Sequence, residues 1–558
     1  MKLNSAWTLF DIYSKMYLMK YLSNIFILTF GPGVLLAGCN KEKVEPIKRP
    51  NILFVINDDQ TYMHTSFAGS RFLSTPGFDR VAMNGIYFEN CYAGSPGSAP
   101  SRSALVTGRH HWQNEQSGQH ASSWMKKHVP FVDILEANGY YTGFTGKGVG
   151  PFQYARSEAD SLWREGNAAG RAFNRHRYTK GTPSDPRTAE GIGLTNYFEN
   201  FRDFMQQRES DQPFYFWYGA TEPHRAYEKD SWKRNGKNLD LVDVPGFLPD
   251  TEEIRGDILD YAVEIEWADS HLCMMLDYLD SIGELDNTIV IATADNGMPF
   301  PRAKANCFEY GVHVPLAISY PKGFPAGRRV DDPVGFVDIA PTLLEMAGIR
   351  SDGMMPMSGY SIVNILKSEK DGIVDKTKKY VYMGRERHSS SRWQNLGYPQ
   401  RAVRGSNFLF IWNMKPERWP AGAPQAIDKE TGLLFPMYGI DNKGDYHSEW
   451  AFTDVDASPS HSFLIEHYKD PAIHPYFDLA YAKRQEFELY HITEDPFCLH
   501  NLAGDADYSD VEDELKNALI KELGRTSDPR VVGPDKDIFE SYTRYGFMRI
   551  FPEPDWKK

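Results

Sequence analysis

The sequence predicts an α/β chain: a doubly wound, mostly parallel sheet flanked by helices, followed by a smaller α+β region with a short antiparallel sheet. Three observations predict it. Short continuous apolar runs alternate with helical patterns as far as about residue 347. These runs pass directly into polar residues, at the strand ends where open α/β sheets bind their ligands. Beyond Ser368 the texture shifts to brief apolar runs between loops rich in Trp, Pro, Gly and His.

Composition agrees. The 558 residues are 41% hydrophobic, 24% charged and 14% aromatic, ample for a sizeable core. At ~150 residues per domain the length suits two to four units, or one large domain with a smaller one. The 45 Gly and 35 Pro show no triplet period, so collagen and disorder are excluded. A mean hydropathy of -0.50 argues against a polytopic membrane protein. With 61 Lys+Arg against 75 Asp+Glu the net charge is -14, so no generic affinity for nucleic acid is expected. An anionic substrate would need a local cluster of cations. Cys39, Cys91, Cys273, Cys307 and Cys498 are too few and too scattered for a disulfide framework or a zinc ribbon.

The first element reads as an address. Lys20 precedes an apolar run, Tyr21 to Leu36, about the length of a secretory core and short for a membrane span. It ends in Leu36-Ala37-Gly38-Cys39, which resembles a bacterial lipobox, and Met16 or Met19 would give a start of ordinary length. That likeness implies a lipidated Cys39 after a signal peptide of residues 1–39, and an exported lipoprotein anchored to a membrane of the cell envelope, periplasmic or outer. Residues 40–50, with Lys41, Glu42, Lys43, Glu45 and Lys48, read as a polar tether.

Asn51 to Ile56, Tyr141 to Thr145, Phe214 to Tyr218 and Thr288 to Ala294 are continuous apolar runs of strand length, suited to a sheet buried on both faces. Between them, Phe131 to Asn138 and Ile254 to Leu279 carry apolar residues at helical spacing, and Asp338 to Ala347 reads as a further short helix. Residues 51–368 thus form the expected catalytic domain. In the expected subdomain of residues 369–558, Tyr380 to Met383 and Phe408 to Trp412 read as strands and Val511 to Leu523 as a helix.

The strand ends carry the chemistry. The first runs into Asn57-Asp58-Asp59 and the fourth into Asp295-Asn296-Gly297. Asp58, Asp59, Asp295 and the amide oxygen of Asn296 make a hard, all-oxygen set that favours Ca²⁺ or Mg²⁺ over zinc. The second ends in Gly146-Lys147-Gly148 and the third in Thr221-Glu222-Pro223-His224, so Lys147 and His224 reach the same edge. His224 is the residue suited to proton transfer near neutral pH.

Between the first two strands, Ser98-x-Pro100-x-Arg102 followed by Leu105-Val106-Thr107-Gly108-Arg109 resembles the signature of the type I sulfatases. That resemblance covers most of the chain and implies the alkaline phosphatase-like fold. It also implies that Ser98 is oxidised to formylglycine by a sulfatase-maturing enzyme. On the same footing, Asp58, Asp59, Asp295 and Asn296 match the family's metal ligands, Lys147, Arg102 and Lys304 its basic contacts, and His224 a histidine near the leaving group. Glu488 to Pro496 with Asn501-Leu502-Ala503 is similar to the segment that closes sulfatase carboxyl domains. Within the family the chain looks most like the N-sulfoglucosamine sulfohydrolases, on Asp295 to Pro301, Glu222 to Arg225, Gly146-Lys147 with Val149-Gly150-Pro151, and Tyr398 to Val403. One departure stands out: Val149 occupies the place of a family histidine, for which His120 is a candidate substitute.

The implied activity is hydrolysis of sulfate from a sulfated oligosaccharide, N-sulfoglucosamine of heparan sulfate first, with an O-sulfate on another host or algal glycan as the alternative. Glu222, Arg387, His388 and Arg392 are candidates for binding the sugar. Two rival classes stay open: a phosphoryl-transfer hydrolase with an unmodified Ser98 and two zinc ions, for which no further His and Asp ligand set is evident, and a glycan-binding lipoprotein whose Ser98 is never oxidised.

Overall fold

The computed structural model describes residues 48–155 and 162–558. Cys39 and its lipobox, with most of the tether, lie outside the described residues. No described helix is long and apolar enough to cross a membrane. Residues 48–558 form one compact unit.

Its centre is a seven-stranded sheet. In chain order the strands are β1 (Asn51–Asn57), β2 (Ile86–Phe88), β4 (Tyr141–Gly146), β5 (Phe214–Gly219), β6 (Thr288–Ala294), β7 (Leu316–Ser319) and β8 (Arg328–Val330), while β3 (Cys91–Tyr92) and β9 (Val334–Gly335) pair separately. The order across the sheet is β4-β5-β1-β6-β7-β2-β8. β1 pairs in parallel with both β5 and β6, Ile52 facing Tyr215 and Val55 facing Ala292, and only β7 runs against the rest. The apolar runs are continuous because both faces are covered. Ile52, Phe54 and Ile56 pack under the helix Phe131–Ala137 (α3) and Ile339–Met346 (α6), whereas Leu53 and Val55 pack under Tyr197–Gln207 (α4) and Glu252–Ser281 (α5). Full burial of each such side chain contributes about 1.5–3 kcal/mol. α5 begins where Thr251 accepts the Ile254 N–H, with Glu252 and Glu253 in its first turn. The remaining helices used below are Pro76–Met83 (α1), Ser98–Thr107 (α2) and Ser509–Arg525 (α7).

A second, four-stranded antiparallel sheet comprises β10 (Val381–Arg385), β11 (Gln400–Arg404), β12 (Phe408–Asn413) and β13 (Phe487–His491). α7 covers it through Leu515, Leu519 and Leu523, against Val403, Phe410 and Leu489. Trp112, just after α2, donates its indole N–H to Thr526, and His110 meets Glu522, so the two sheets are joined next to the site. The four described cysteines are free.

Candidate active site

β1, β4, β5 and β6 end at the same edge, and the backbone there bends under specific constraints. Asp59 sits at φ 75, a left-handed conformation that aspartate tolerates better than bulkier residues. Gly146, at φ 73, lies against β5: a side chain there would meet the Gly219 carbonyl at 2.0 Å, and beyond it the Lys147 N–H donates to that carbonyl. The Asp58 N–H donates to the Glu222 carbonyl, which fixes β1 against β5 at the point of use. Ser98 opens α2 directly after Gly97, its cap in extended conformation, and Ser101 Oγ donates to the Asp295 carbonyl at 2.6 Å. The helix therefore presents its positive end at the aspartates.

Asp58, Asp59 and Asp295 are buried, and one oxygen from each lies within 4.8 Å of the others. Ser98 Oγ donates to Asp58 Oδ1 at 2.9 Å and lies 3.5 Å from Asn296 Oδ1, while Asn296 Nδ2 donates to Asp59 Oδ1 at 2.7 Å. Three cations ring this group. Lys147 Nζ meets Asp58 Oδ2 at 2.5 Å, Lys304 Nζ meets Asp59 Oδ2 at 2.6 Å, and Arg102 Nε meets Asp295 Oδ2 at 2.7 Å. Arg102 is wholly buried, not the surface residue of an ordinary capped helix. Its Nη1 donates to the carbonyls of Lys147 and Gly148, and its Nη2 has no partner, 3.9 Å from the Asp58 oxygen that Ser98 engages. Burial opposes ionisation of Asp58, but Lys147, His224, Arg102 and Lys304 outweigh it and hold that carboxyl well below its usual range. Burial and the Asp58 charge push Asp295 the other way, up to about 6. An all-oxygen set of this charge fits a hard divalent cation.

His224 donates from Nδ1 to the Arg225 carbonyl at 2.6 Å, which turns Nε2 toward Asp59, 3.9 Å away. Glu222 takes a positioning place: Tyr197 OH donates to Oε2 at 2.6 Å and the Gly193 N–H to Oε1 at 2.9 Å. Val149 is 0% exposed and belongs to the core. His120 and His388 lie together elsewhere, ring centres 5.2 Å apart, and a side chain on Gly97 would come within 3.2 Å of His388. Burial, with His388, Arg544, Lys147 and Lys304 around it, pushes His120 well below its usual value, so it is a neutral imidazole.

Two of the expected sugar contacts are engaged within the protein. Arg392 gives Nε to the Trp419 carbonyl, Nη2 to the Pro420 carbonyl and to Asp454 at 2.6 Å, and Nη1 to Ser391. Arg387 donates to the Tyr542 carbonyl and to Ser122 Oγ, both at 2.7 Å. Both guanidiniums are buried cross-links, with Arg387 Nε left without a partner. Of that trio only His388 borders the site. The sequence reading missed Asp456, whose Oδ2 binds Lys304 Nζ at 2.9 Å and which groups with Asp59 and His224 within 4.8 Å. This is a second acidic and histidine set that the sequence did not reveal, but the Lys304 ammonium already lies between its two carboxylates. A cavity of about 270 Å³ opens beside Asp58, Lys147 and His224. A larger one, about 840 Å³, lies between Lys376, Tyr380, Phe408 and Leu515 and includes none of these side chains.

The family model described as sulfatase matches residues 50–349, more than half of the chain and all the strand ends above. The chain belongs to the sulfatase family. It is a sulfuric ester hydrolase with the alkaline phosphatase-like fold. A second model, described as N-sulphoglucosamine sulphohydrolase, C-terminal, matches residues 303–400 of this sulfatase. It is 24% identical over 527 residues to the human N-sulphoglucosamine sulphohydrolase, covering 87% of this chain and 92% of that one. It is 25% identical over 445 residues to an N-acetylglucosamine-6-O-sulfatase of Bacteroides thetaiotaomicron, covering 62% of this chain and 76% of that one. A solved structure described as a complex with D-glucosamine-2-N,6-O-disulfate shares its fold at TM-score 0.58 and 20% identity, covering 86% of this chain and 99% of that one.

Proposed function

We propose that this sulfatase is formylglycine-dependent, holds one Ca²⁺, and removes sulfate from N-sulfoglucosamine units of heparan-type oligosaccharides. The observation that carries the chemistry is the Ser98 side chain at the start of α2, bonded to Asp58 and ringed by Arg102, Lys147 and Lys304. Asp58, Asp59, Asp295 and Asn296 are the residues to hold the ion. A formylglycine at position 98 would supply a hydrated carbonyl able to attack sulfur and then to release sulfate, and the ion would draw charge from the sulfate oxygens.

This chain's own groups do the rest. The unpartnered Nη2 of Arg102 and the ammonium groups of Lys147 and Lys304 take the anionic oxygens, an arrangement preorganised by burial. With Nδ1 fixed on the Arg225 carbonyl, His224 Nε2 carries the proton for the leaving group, which an amine leaving group requires. His388, over Gly97 and with His120 beside it, stands in for the histidine absent at Val149. Support for the N-sulfo group comes from the carboxyl-domain match at residues 303–400 and the human relative. The bacterial 6-O-sulfatase relative favours a second reading, an O-sulfate. Export as a lipoprotein through Cys39, after oxidation by a maturing enzyme, completes the proposal.

Matured protein is incubated with saccharides sulfated at one defined position each, and the products are separated. Loss of the N-sulfate supports the first reading, and loss of an O-sulfate alone overturns it. Intact mass of the same sample must be lower by two hydrogen atoms, the signature of oxidation at Ser98. Membrane fractionation of a Cys39→Ala variant tests the anchor.

A further inference from the structure

The cavity beside Asp58 is lined by Lys147 and His224 and also by two carboxyls, Glu222 and Glu264. These two carboxyls differ. Each oxygen of Glu222 accepts a hydrogen bond, from Tyr197 and from Gly193. Glu264, midway along α5, is 1% exposed, its Oε1 has no hydrogen-bond partner, and among the described residues it makes no ion pair. Leaving such a group unsatisfied is destabilising, which an apolar residue in α5 would avoid. Arg225, the cation on that wall, is engaged by Asp257 at 2.7 Å.

Backbone packs close over Glu264 and leaves no room for a side chain at position 191. A side chain on Gly191 would lie 2.9 Å from Glu264 Oε1 and 2.7 Å from the Ala226 carbonyl. The loop carrying Gly191 is pinned, because Ala189 and Ile192 bury against Val263 and Trp267 on α5, on either side of Glu264 in sequence. The cavity is therefore preformed. Burial, with Glu222 and Asp260 nearby, pushes the Glu264 carboxyl up, toward the protonated form that offers one donor and one acceptor. A sugar hydroxyl has the same pattern.

We propose that Glu264 is a specificity-determining residue that hydrogen-bonds a hydroxyl of the sugar ring bearing the scissile sulfate, with this cavity as the place of that ring. The inference rests on the proposed function, since Ser98 and His224 define where the sulfate lies. At about 270 Å³ the cavity falls just under the ~300–1,000 Å³ of small-molecule sites and suits one ring, not a length of polymer.

The test compares Glu264→Ala and Glu264→Gln with the parent protein, by KM and kcat on an N-sulfoglucosamine disaccharide and by calorimetric binding of the desulfated disaccharide. Glu264→Ala is expected to raise KM and weaken binding roughly tenfold, with a melting temperature at or above the parent's. Glu264→Gln, which keeps a donor and an acceptor, is expected to restore both to within about threefold. A purely structural role would lower the melting temperature and leave KM alone. Unchanged KM and binding in Glu264→Ala overturn the proposal. Failure of the parent protein to cleave any sulfate, a simple aryl sulfate included, refutes the function instead. Binding of the desulfated disaccharide then decides the role of Glu264: weaker binding in the Ala variant upholds it, and equal binding refutes it.

Discussion

The strand-end cluster and the arginine layer beneath the second sheet are both buried and both charged, and they close differently. In the arginine layer Arg401 spans Asp528 at 2.5 Å and Glu386 at 2.7 Å, Arg530 meets Glu386 at 2.6 Å, and Arg385 and Arg392 share Asp454. Arg392 also donates to the Trp419 and Pro420 carbonyls, whereas Arg385 keeps Nε and Nη1 without a partner. In the strand-end cluster two of the three cations are lysines, single ammonium groups able to turn from an aspartate to a ligand, and Arg102 keeps one nitrogen free. A planar fork that spans two carboxylates, as Arg401 does, holds a structure together, whereas ammonium point charges can exchange partners. Asp454 and Asp456, two residues apart in one turn, serve the two clusters separately.

That contrast can be broken in both directions. Ser98→Ala should abolish sulfate release by ~10⁴-fold or more in a steady-state assay while thermal unfolding stays at the parent temperature. A comparable loss of stability would mean that the strand-end cluster is structural after all. Arg401→Met should do the reverse: breaking a buried pair costs on the order of 3–5 kcal/mol in denaturant unfolding, with kcat of the folded fraction unchanged. Acid should expose the same layer more gently. Burial alone would raise Glu386, but Arg530 and Arg401 outweigh it and bring it to about 2 from an ordinary 4.5. Arg404 and His313 likewise overcome burial at Glu309. Folded values below the unfolded ones give stability that is complete above about pH 4.5 and lost as pH falls toward 2. Urea midpoints from pH 6 to pH 3 should therefore fall, and Glu386→Gln should flatten part of the slope. Smallest of all, Asp456→Asn should release Lys304 toward Asp59, so that about tenfold more Ca²⁺ is needed for half-maximal activity. An unchanged calcium requirement would place Lys304 outside the ion's balance.

The parts of the molecule legible in the sequence are those where local pattern and burial coincide. β1, β4, β5 and β6 are continuous apolar runs because helices cover both faces, and the polar residues that follow them could only lie at one sheet edge. β2, β7 and β8, of three or four residues, are too short to show a period, and β11 hides behind charge, since Arg401 and Arg404 occupy buried positions. The same long-range pairing explains why the internal bonding of Arg387 and Arg392 was not legible. A basic loop looks alike whether its partner is a ligand or Asp454, and the partner of Arg392 is 62 residues away. Asp456 and Glu264 escaped notice for the complementary reason: a turn aspartate and a helical glutamate acquire meaning only from what folds against them.

The placement of Asp454 and Asp456 on one short turn also ties turnover to completeness of folding. The stretch that anchors Lys304 beside Ser98 is the stretch that Arg385 and Arg392 lock. A chain whose second sheet has not docked therefore lacks a finished pocket, and sulfate release becomes a readout of the fully assembled protein, a safeguard built from two carboxylates and the valine between them.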